Sequence, residues 1–338
     1  MLKLSKKRIA AVLALALIFS TLALMLLSCS KDGAEGADGS GAVYFTVKFD
    51  PNGGSAVAEQ KVLQNGLVSV PSETTRENYV FEYWELGGKE WDFTFDKVTS
   101  DITLKAKWIS ADSLFNYEPV EGTDTAIITA LKTEIKNIRV PETINGYTVT
   151  AIGDKVFSAL SSEKVTSVSL PKTVSSIGAE AFKDCADITI KIDGELTSVG
   201  ESAFNGCNKL TSVKLGAGLD RIAAYSFMES GIAKIFIPES VQLIEEDAFN
   251  GCASLTVVTM HKLADDAEVA IANGAFRDCT ALKTVFFYGT DEQLDSLIER
   301  TAHLNEAFIE ARIALYSEKE PEVEGDWWYM KDGEPRLW

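Results

Sequence analysis

Residues 173–185 read TVSSIGAEAFKDC, and variants of this stretch recur through the middle of the chain. The copies are TVTAIGDKVF (148–157), TVSSIGAEAF (173–182), ELTSVGESAF (195–204), GLDRIAAYSF (218–227), SVQLIEEDAF (240–249) and VAIANGAFRDC (269–279). Their phenylalanines are spaced 25, 22, 23, 22 and 27 residues apart, at Phe157, Phe182, Phe204, Phe227, Phe249 and Phe276. A repeat of this length is typical of a solenoid, in which stacked units cover one another's apolar faces because a single unit cannot bury its own.

An alternating segment follows each copy and predicts a short strand. Leu210, Val213 and Leu215 point to one side of that strand, whereas Ser212 and Lys214 point to the other. The same spacing recurs from residue 255 and from residue 282. Stacked units therefore predict a parallel β-sheet, while the Ala-Phe pair returns the chain on the opposite side and fills the core.

Cysteines share one position in the repeats, three residues after the phenylalanine; they are Cys185, Cys207, Cys252 and Cys279, with Ser230 once in their place. We predict that they are buried free thiols, which behave as small apolar side chains. An exported protein can form disulfides, so bridges between adjacent repeats are the alternative. Side chains that point the same way along a ladder suit bridging geometry poorly.

The first 28 residues have the pattern of an export signal, because basic residues precede an uncharged run that is rich in Leu and Ala. The run ends in Leu26-Leu27-Ser28-Cys29, which resembles the bacterial lipobox. The resemblance implies that residues 1–28 are a lipoprotein signal peptide and that Cys29 carries a lipid that anchors the chain to a membrane. An uncleaved helical anchor is the alternative.

Residues 29–41 are small, polar and rich in glycine, which predicts a flexible tether between the lipid and the folded part. Ser30 follows the lipidated cysteine, where an aspartate would be expected for retention in the inner membrane of some Gram-negative bacteria. We therefore expect a lipid-anchored protein of the cell envelope, at the outer membrane or the cell surface.

Residues 42–108 predict a small β module, with strands from Val43 to Phe49, Val68 to Pro71, Tyr79 to Trp84 and Ile102 to Trp108. The phrases FDPNGGSAV, NYVFEYW and WDFTFDKVTSDITLKAKW resemble the Listeria–Bacteroides repeat, the B-repeat of internalins. The resemblance implies a compact β-grasp-like fold. We expect Trp84, Trp91 and Trp108 to fill its core, with a ligand-stacking surface as the alternative.

The phrases I-G-x-x-A-F-x-x-C and V-x-L-P in the repeats resemble the BspA-type, or Treponema pallidum-type, leucine-rich repeat. The resemblance implies a mainly β chain in which residues 151–289 form a leucine-rich-repeat solenoid with a parallel β-sheet. Residues 109–150 are then its N-terminal cap, with a hairpin from Phe115 to Leu131. Residues 290–338 are its helical and aromatic C-terminal cap, with an amphipathic helix over 291–312 and an aromatic segment over 326–338 that folds back on the last repeat.

Composition and motifs argue against catalysis and against nucleic acid as a partner. The chain has 50 Asp and Glu residues against 32 Lys and Arg residues, and its formal net charge of −18 repels phosphate backbones. The histidines are His261 and His303, and no metal-ligand spacing, nucleophile elbow or phosphate-binding loop occurs. We therefore expect a protein that is not an enzyme and that has no cofactor and no bound metal.

Outward-facing strand positions form a candidate ligand-binding strip, which consists of Lys191, Lys214, Lys234, Phe236, Thr259 and Phe286. The lysines place positive charge on an acidic protein, and the two phenylalanines are expected to be exposed aromatics. Ordinary cross-strand packing is the alternative interpretation. The resemblance to BspA-type proteins implies an adhesin that contacts a host extracellular matrix or surface protein or a glycan. A structural spacer or scaffold of the cell envelope, without a host ligand, is the alternative.

Overall fold

The computed structural model describes residues 42–160, 162–261, 270–318, 326–331 and 334–337. The chain from Tyr44 to Trp338 forms one compact unit that is mainly β, with 38% strand and 6% helix. Among the described residues, no helix is long and apolar enough to cross a membrane. The predicted signal peptide, Cys29 and the glycine-rich tether lie outside the described residues.

The unit begins with a five-stranded sheet, formed by β1 (Tyr44–Asp50), β2 (Gln60–Leu63), β3 (Tyr79–Leu86), β4 (Lys89–Glu90) and β5 (Ile102–Ser110). The strand order is β2-β1-β5-β3-β4, with β1 parallel to β5 and the other neighbours antiparallel. Trp84 and Trp91 are buried in the core of this sheet, as predicted. The prediction of a strand at 68–71 is wrong. The sequence also did not predict the short edge strand β2, because Val62 is the single buried side chain of that strand.

The remaining strands are, in chain order, β6 (Phe115–Pro119), β7 (Thr125–Leu131), β8 (Asn137–Arg139), β9 (Thr143–Ile144), β10 (Tyr147–Ile152), β11 (Ser167–Leu170), β12 (Ser176–Ile177), β13 (Thr189–Ile192), β14 (Glu195–Leu196), β15 (Ser198–Val199), β16 (Lys214–Leu215), β17 (Arg221–Ile222), β18 (Lys234–Ile237), β19 (Leu243–Ile244), β20 (Val257–His261), β21 (Thr284–Tyr288), β22 (Arg312–Tyr316), β23 (Trp327–Lys331) and β24 (Glu334–Leu337). The helices are α1 (Ala111–Leu114), α2 (Asp291–Glu299) and α3 (Glu306–Ile309). Antiparallel pairing of β6 with β7 gives the predicted hairpin.

Each turn of the solenoid contributes short strands to two ladders of parallel strands. The first ladder contains β7, β10, β12 and β15, and a further pair is formed by β17 and β19. The second ladder contains β8, β11 and β13, then the pair β14–β16, then the run from β18 through β20, β21 and β22 to β23, and β24 pairs antiparallel with β23 at its end. We call the outward side of the second ladder the strand face. The predicted parallel pairing is confirmed over about eight turns, but it is divided among several sheets.

The repeat phenylalanines form one stack along the core of the solenoid. The rings from Phe157 to Phe276 are fully buried, and the centroids of neighbouring rings lie 5.0–5.6 Å apart. Phe308 extends the stack, because its ring centroid lies 5.0 Å from that of Phe276. Since each ring packs against the rings of both neighbouring turns, the turns stabilise one another.

The C-terminal helix is shorter than predicted. Thr290 caps its start, and a capping box forms between Thr290 and Gln293. The helix then ends at Glu299, so the prediction of a continuous helix over 291–312 is wrong.

Hydrogen bonds to the preceding turn explain this early end. The backbone N–H of Ala302 donates to the carbonyl of Ile271 at 2.8 Å. The side-chain oxygen of the buried Asn305 accepts a hydrogen bond from the backbone N–H of Phe276 at 2.9 Å. The chain around Phe308 therefore makes a further solenoid turn, in which bonds between turns replace those that a longer helix would make.

Residues in the left-handed backbone conformation recur at two fixed places in each turn, two residues before and two residues after the core phenylalanine. Around Phe227 they are Tyr225, with a φ of 57°, and Glu229, with a φ of 55°. The equivalent residues of the other turns are Lys155, Ala159, Glu180, Asp184, Ser202, Gly206, Asp247, Gly251, Gly274 and Asp278. This conformation costs an L-residue roughly 1–2 kcal/mol, so each turn stores strain that its packing must offset.

The repeat cysteines lie beside the phenylalanine stack as buried free thiols. Each thiol donates a hydrogen bond to the carbonyl of the phenylalanine one turn earlier, as Cys207 does to Phe182 at 3.0 Å. Burial raises the pKa of Cys185 and of Cys252 to about 11, from an ordinary value near 9. The thiols are therefore part of the core and are protonated at neutral pH.

Candidate ligand-binding face

The lysines of the predicted strip lie on the strand face, and all three are exposed. The side chain of Lys191 is 61% exposed and forms an ion pair with Asp193 at 3.1 Å. Lys214 begins β16, and Lys234 begins β18. The strand face therefore exposes a lysine side chain at three successive turns, and at the first of them Asp193 lies beside the lysine.

The predicted row of outward residues is nevertheless interrupted between Lys191 and Lys214. Lys191 pairs in register with Ser169, but Lys214 pairs with Glu195, which follows β13 in the chain. Pairing has therefore shifted by four residues at this turn relative to the spacing of the repeats. The sequence did not indicate this shift, because a short alternating segment fits both pairings.

Two members of the predicted strip are not exposed. Thr259 is 4% exposed and Phe286 is 6% exposed, so the prediction that Phe286 is a solvent-facing aromatic is wrong. The cause is Trp328 of β23, whose ring centroid lies 5.2 Å from that of Phe286. Thr259 is paired between Phe236 and Phe286, and these larger side chains flank it. Phe236 remains 43% exposed.

A second row of aromatic residues, which the sequence interpretation missed, lies on the same face two residues further along the strands. The imidazole of His261 stacks on the ring of Tyr288, with centroids 4.2 Å apart and planes 4° apart. Tyr316 follows at 4.6 Å from Tyr288, and Phe236 lies 6.1 Å from His261. His261, Tyr288 and Tyr316 are the residues that were missed, whereas Phe236 belongs to the predicted strip; we call these four residues together the aromatic row. The alternation of β20 and β21 places His261 and Tyr288 on the outward side, so the pattern could have found them.

Partial burial shifts the pKa values of His261 and Tyr288 in the direction that favours their uncharged forms. Burial lowers the pKa of His261, although Glu239 opposes this effect in part. Burial also raises the pKa of Tyr288, as does the nearby Tyr316 to a smaller extent. Both rings are therefore neutral at pH 7, and the aromatic row is an uncharged, half-buried surface next to the exposed lysines.

A groove of about 490 Å³ lies where the first sheet meets the N-terminal part of the strand face. One wall is formed by residues 73–81 and Trp108. The other wall is formed by Arg139, Ser169 and Lys191, which pair in register on adjacent strands, and by the turns that follow those strands. We call this feature the junction groove. Sequence reasoning did not predict it, because its two walls come from segments that only the folded chain brings together.

The described residues of this face show no metal-binding geometry. Within the described ranges, no group of three or more His, Cys, Asp or Glu side chains could hold a metal ion. His261 stacks on Tyr288 as described above, and His303 uses its backbone carbonyl to accept a hydrogen bond from Gly274 at 3.0 Å.

Comparison with protein families identifies both parts of the chain. A model of the BspA type leucine rich repeat region matches residues 131–256 in six copies. A model of the Listeria-Bacteroides repeat domain matches residues 45–107. Both resemblances found in the sequence are thereby confirmed.

Individual relatives match only parts of the chain. A protein of Evansella cellulosilytica described as a membrane protein is 39% identical over 67 residues, which is 19% of this chain and 10% of that protein. A leucine-rich repeat protein structure from Bacteroides ovatus is 30% identical, with 51% of this chain and 45% of that chain covered and a TM-score of 0.43. The leucine rich repeat protein of T. pallidum is 28% identical, with 52% and 69% covered and a TM-score of 0.32. The chain thus spans about a tenth of the curated relative and less than half of the Bacteroides chain.

Proposed function

We propose that this chain, whose residues 131–256 form a BspA-type leucine-rich repeat region, is a cell-surface protein that binds a macromolecular partner through its strand face. The observation that carries the proposal is the exposure of Lys191, Lys214 and Lys234 on this face in a chain with a net charge of −18. A positive patch on an acidic protein selects an acidic partner and orients it, because the rest of the surface repels that partner.

The aromatic row supports this proposal by supplying apolar contact area. Phe236 is 43% exposed and lies beside the stacked pair of His261 and Tyr288. Aromatic side chains are enriched at protein interfaces, where they bury large areas at little entropic cost. A rigid sheet also loses little conformational freedom on binding, so more of the contact energy is retained as affinity.

Lipid anchoring at Cys29 is the second element of the proposal. It rests on the sequence Leu26-Leu27-Ser28-Cys29, and the description of the Evansella cellulosilytica relative as a membrane protein agrees with it. The test is fractionation of cells that express the native chain or Cys29→Ser. We expect the native chain in the membrane fraction with a lipid mass on its N-terminal peptide, and Cys29→Ser in the soluble or secreted fraction. The control Ser30→Ala should behave as the native chain, and retention of Cys29→Ser in the membrane would contradict lipid anchoring.

The binding proposal is tested with the purified full chain against immobilised fibronectin, fibrinogen and cell-surface glycans. We expect saturable binding to at least one of these, and a loss of affinity of about tenfold or more in the variant Lys191→Glu, Lys214→Glu, Lys234→Glu. The matched control is Lys48→Glu, Lys61→Glu, Lys105→Glu, which makes the same charge change on exposed lysines of the first sheet.

The outcomes separate a specific surface from a general charge effect. Equal losses in the two variants would show that only net charge matters, and an unchanged affinity in the strand-face variant would overturn the proposed surface. Absence of saturable binding to every probe would instead favour a structural spacer in the cell envelope.

A further inference from the structure

We propose that the junction groove binds a neutral oligosaccharide. The groove is distinct from Lys214, Lys234 and the aromatic row that would contact a macromolecular partner, and it shares Lys191 with that surface. The groove has a volume of about 490 Å³, which lies within the range of roughly 300–1,000 Å³ typical of small-ligand pockets. It also lies between two parts of the fold, where such pockets commonly occur.

Aromatic side chains on the wall from the first sheet are held in place. The indole N–H of Trp108 donates a hydrogen bond to the carbonyl of Pro51 at 2.9 Å. The same ring lies so close to Gly54 that a Cβ there would be 2.5 Å from it. Phe81 packs edge-on against Trp108 with centroids 5.5 Å apart. These rings give the groove a preformed apolar wall of the kind on which the C–H faces of a pyranose pack.

Planar hydrogen-bond donors lie next to this apolar wall. The guanidinium of Arg76 lies 3.8 Å from the ring centroid of Tyr79, and that of Arg139 lies 5.6 Å from the ring centroid of Phe81. Stacking on an aromatic ring holds a guanidinium flat, while its N–H groups still point outward from its edge. Such edges can donate to sugar hydroxyls while the neighbouring rings contact the apolar face of the sugar.

Charges along the groove are balanced. The lining includes four basic and four acidic side chains, and the ion pairs among them are Arg139–Glu73 at 3.2 Å, Lys172–Glu142 at 3.8 Å and Lys191–Asp193 at 3.1 Å. Exposed ion pairs contribute little to stability and exchange readily with other partners. A hydroxyl both donates and accepts hydrogen bonds, so a polyol can use both members of each pair. A polyanion or polycation would face as much repulsion as attraction.

Main-chain groups around the groove argue against an extended peptide as the ligand. The carbonyl of Thr75 already accepts a hydrogen bond from Ser55, and that of Arg76 accepts one from Tyr79. The backbone N–H of Val140 donates to the carbonyl of Ser169 at 2.9 Å. Recognition of a peptide by strand addition depends on open main-chain donors and acceptors, and these groups are not open.

The test is isothermal titration calorimetry of the full chain with maltohexaose, cellohexaose, mannohexaose and chitohexaose. We expect one or more of these to bind with saturation, and Ser169→Trp to weaken that binding at least tenfold because the larger side chain fills the groove from the wall that Ser169 forms with Arg139 and Lys191. Ser212→Trp is the matched control, since Ser212 is an exposed residue near Lys214 and outside the groove lining, and its affinity should equal that of the native chain.

A second variant keeps the test valid if Ser169→Trp does not fold. Glu142→Gln combined with Lys172→Gln changes two exposed residues of the rim and should weaken binding at least threefold. The proposal is overturned if none of the four oligosaccharides binds, if the groove variants bind as the native chain does, or if only charged glycans or peptides bind. Lys214→Glu with Lys234→Glu should leave oligosaccharide binding unchanged, so failure here is distinguishable from failure of the proposed macromolecular contact.

Discussion

The side-chain oxygen of Asn78 accepts a hydrogen bond from the backbone N–H of Asn145 at 2.6 Å. This contact joins the segment that leads into β3 to the turn between β9 and β10, so the first sheet is fixed to the solenoid. Both asparagines have a positive φ, of 62° and 48°, a conformation that asparagine tolerates better than most residues. Val80, two residues later, belongs to the main hydrophobic core of the solenoid. The first sheet therefore shares a core with the repeats and covers their first turn.

Replacement of Asn78 should weaken the attachment of the first sheet to the solenoid. We expect Asn78→Gly to lower the free energy of unfolding by about 1 kcal/mol, for the lost hydrogen bond alone. Asn78→Ala should lower it by about 2 kcal/mol, because alanine also disfavours a positive φ. Urea denaturation followed by tryptophan fluorescence and by circular dichroism measures both effects. Asn52→Gly is the control, since the side chain of Asn52 donates a hydrogen bond to the carbonyl of Ala106 within the first sheet. Two resolved transitions in the native chain would contradict the shared core.

Local pattern explains which parts of this fold the sequence could predict. The spacing of Phe157 to Phe276 predicts the stack of core rings, because each ring occupies the same place in a unit that repeats. The burial of Phe286 could not be predicted in this way, since the ring that covers it, Trp328, comes from a strand about forty residues later. The junction groove likewise depends on the contact between the first sheet and the solenoid, and no periodic pattern in the sequence predicts that contact.

Removal of one ring from the middle of the phenylalanine stack should be strongly destabilising. Phe227 is fully buried, and its ring centroid lies 5.6 Å from that of Phe204 and 5.4 Å from that of Phe249. We expect Phe227→Ala to lower the free energy of unfolding by about 3–5 kcal/mol, through lost burial and the cavity left behind. Phe95→Ala is the control, because Phe95 is 77% exposed and should change stability little. Equal effects of the two substitutions in urea denaturation would refute the stacked core.

Relief of the left-handed conformation at Glu229 should stabilise the solenoid. Glu229 is exposed and has a φ of 55°, and glycine occupies the equivalent places at Gly206 and Gly251. We expect Glu229→Gly to raise the free energy of unfolding by about 0.5 kcal/mol, since the gain at a positive φ exceeds the entropic cost of glycine. Glu239→Gly, at an exposed residue without a positive φ, makes the same charge change and should destabilise. A melting temperature that falls in both variants would show that the strain is negligible.

Buried thiols should make the protein less stable at alkaline pH. The pKa of Cys185 is about 11 in the folded chain against an ordinary value near 9, so folding favours the protonated thiol. The contribution of this thiol to the free energy of unfolding is fully present below pH 9. It is lost as the pH rises towards 11, at a rate of up to about 1.4 kcal/mol per pH unit. Cys185→Ser removes this titration, and Ser230 shows that a serine fits the same position of a repeat. Urea denaturation at pH 8, 9, 10 and 11 measures the free energy of unfolding, which should decline less steeply with pH in Cys185→Ser than in the native chain. Identical slopes would contradict the burial of the thiol.

Loss of Trp328 should expose the end of the strand face. Its indole is fully buried and packs against Phe286, Tyr288 and Tyr316, with ring centroids 4.4–5.2 Å apart. We expect Trp328→Ala to uncover Phe286, to increase binding of a hydrophobic dye, and to speed hydrogen exchange in β21 and β22 while the central turns stay protected. The local effect follows from the solenoid architecture, because each turn contacts only its neighbours and an end can open alone. Trp327→Ala, at the half-buried neighbouring residue of β23, is the matched control and should give a smaller change. If exchange accelerates equally along the whole solenoid, Trp328 does not act as a lid on the last repeats but supports the fold globally.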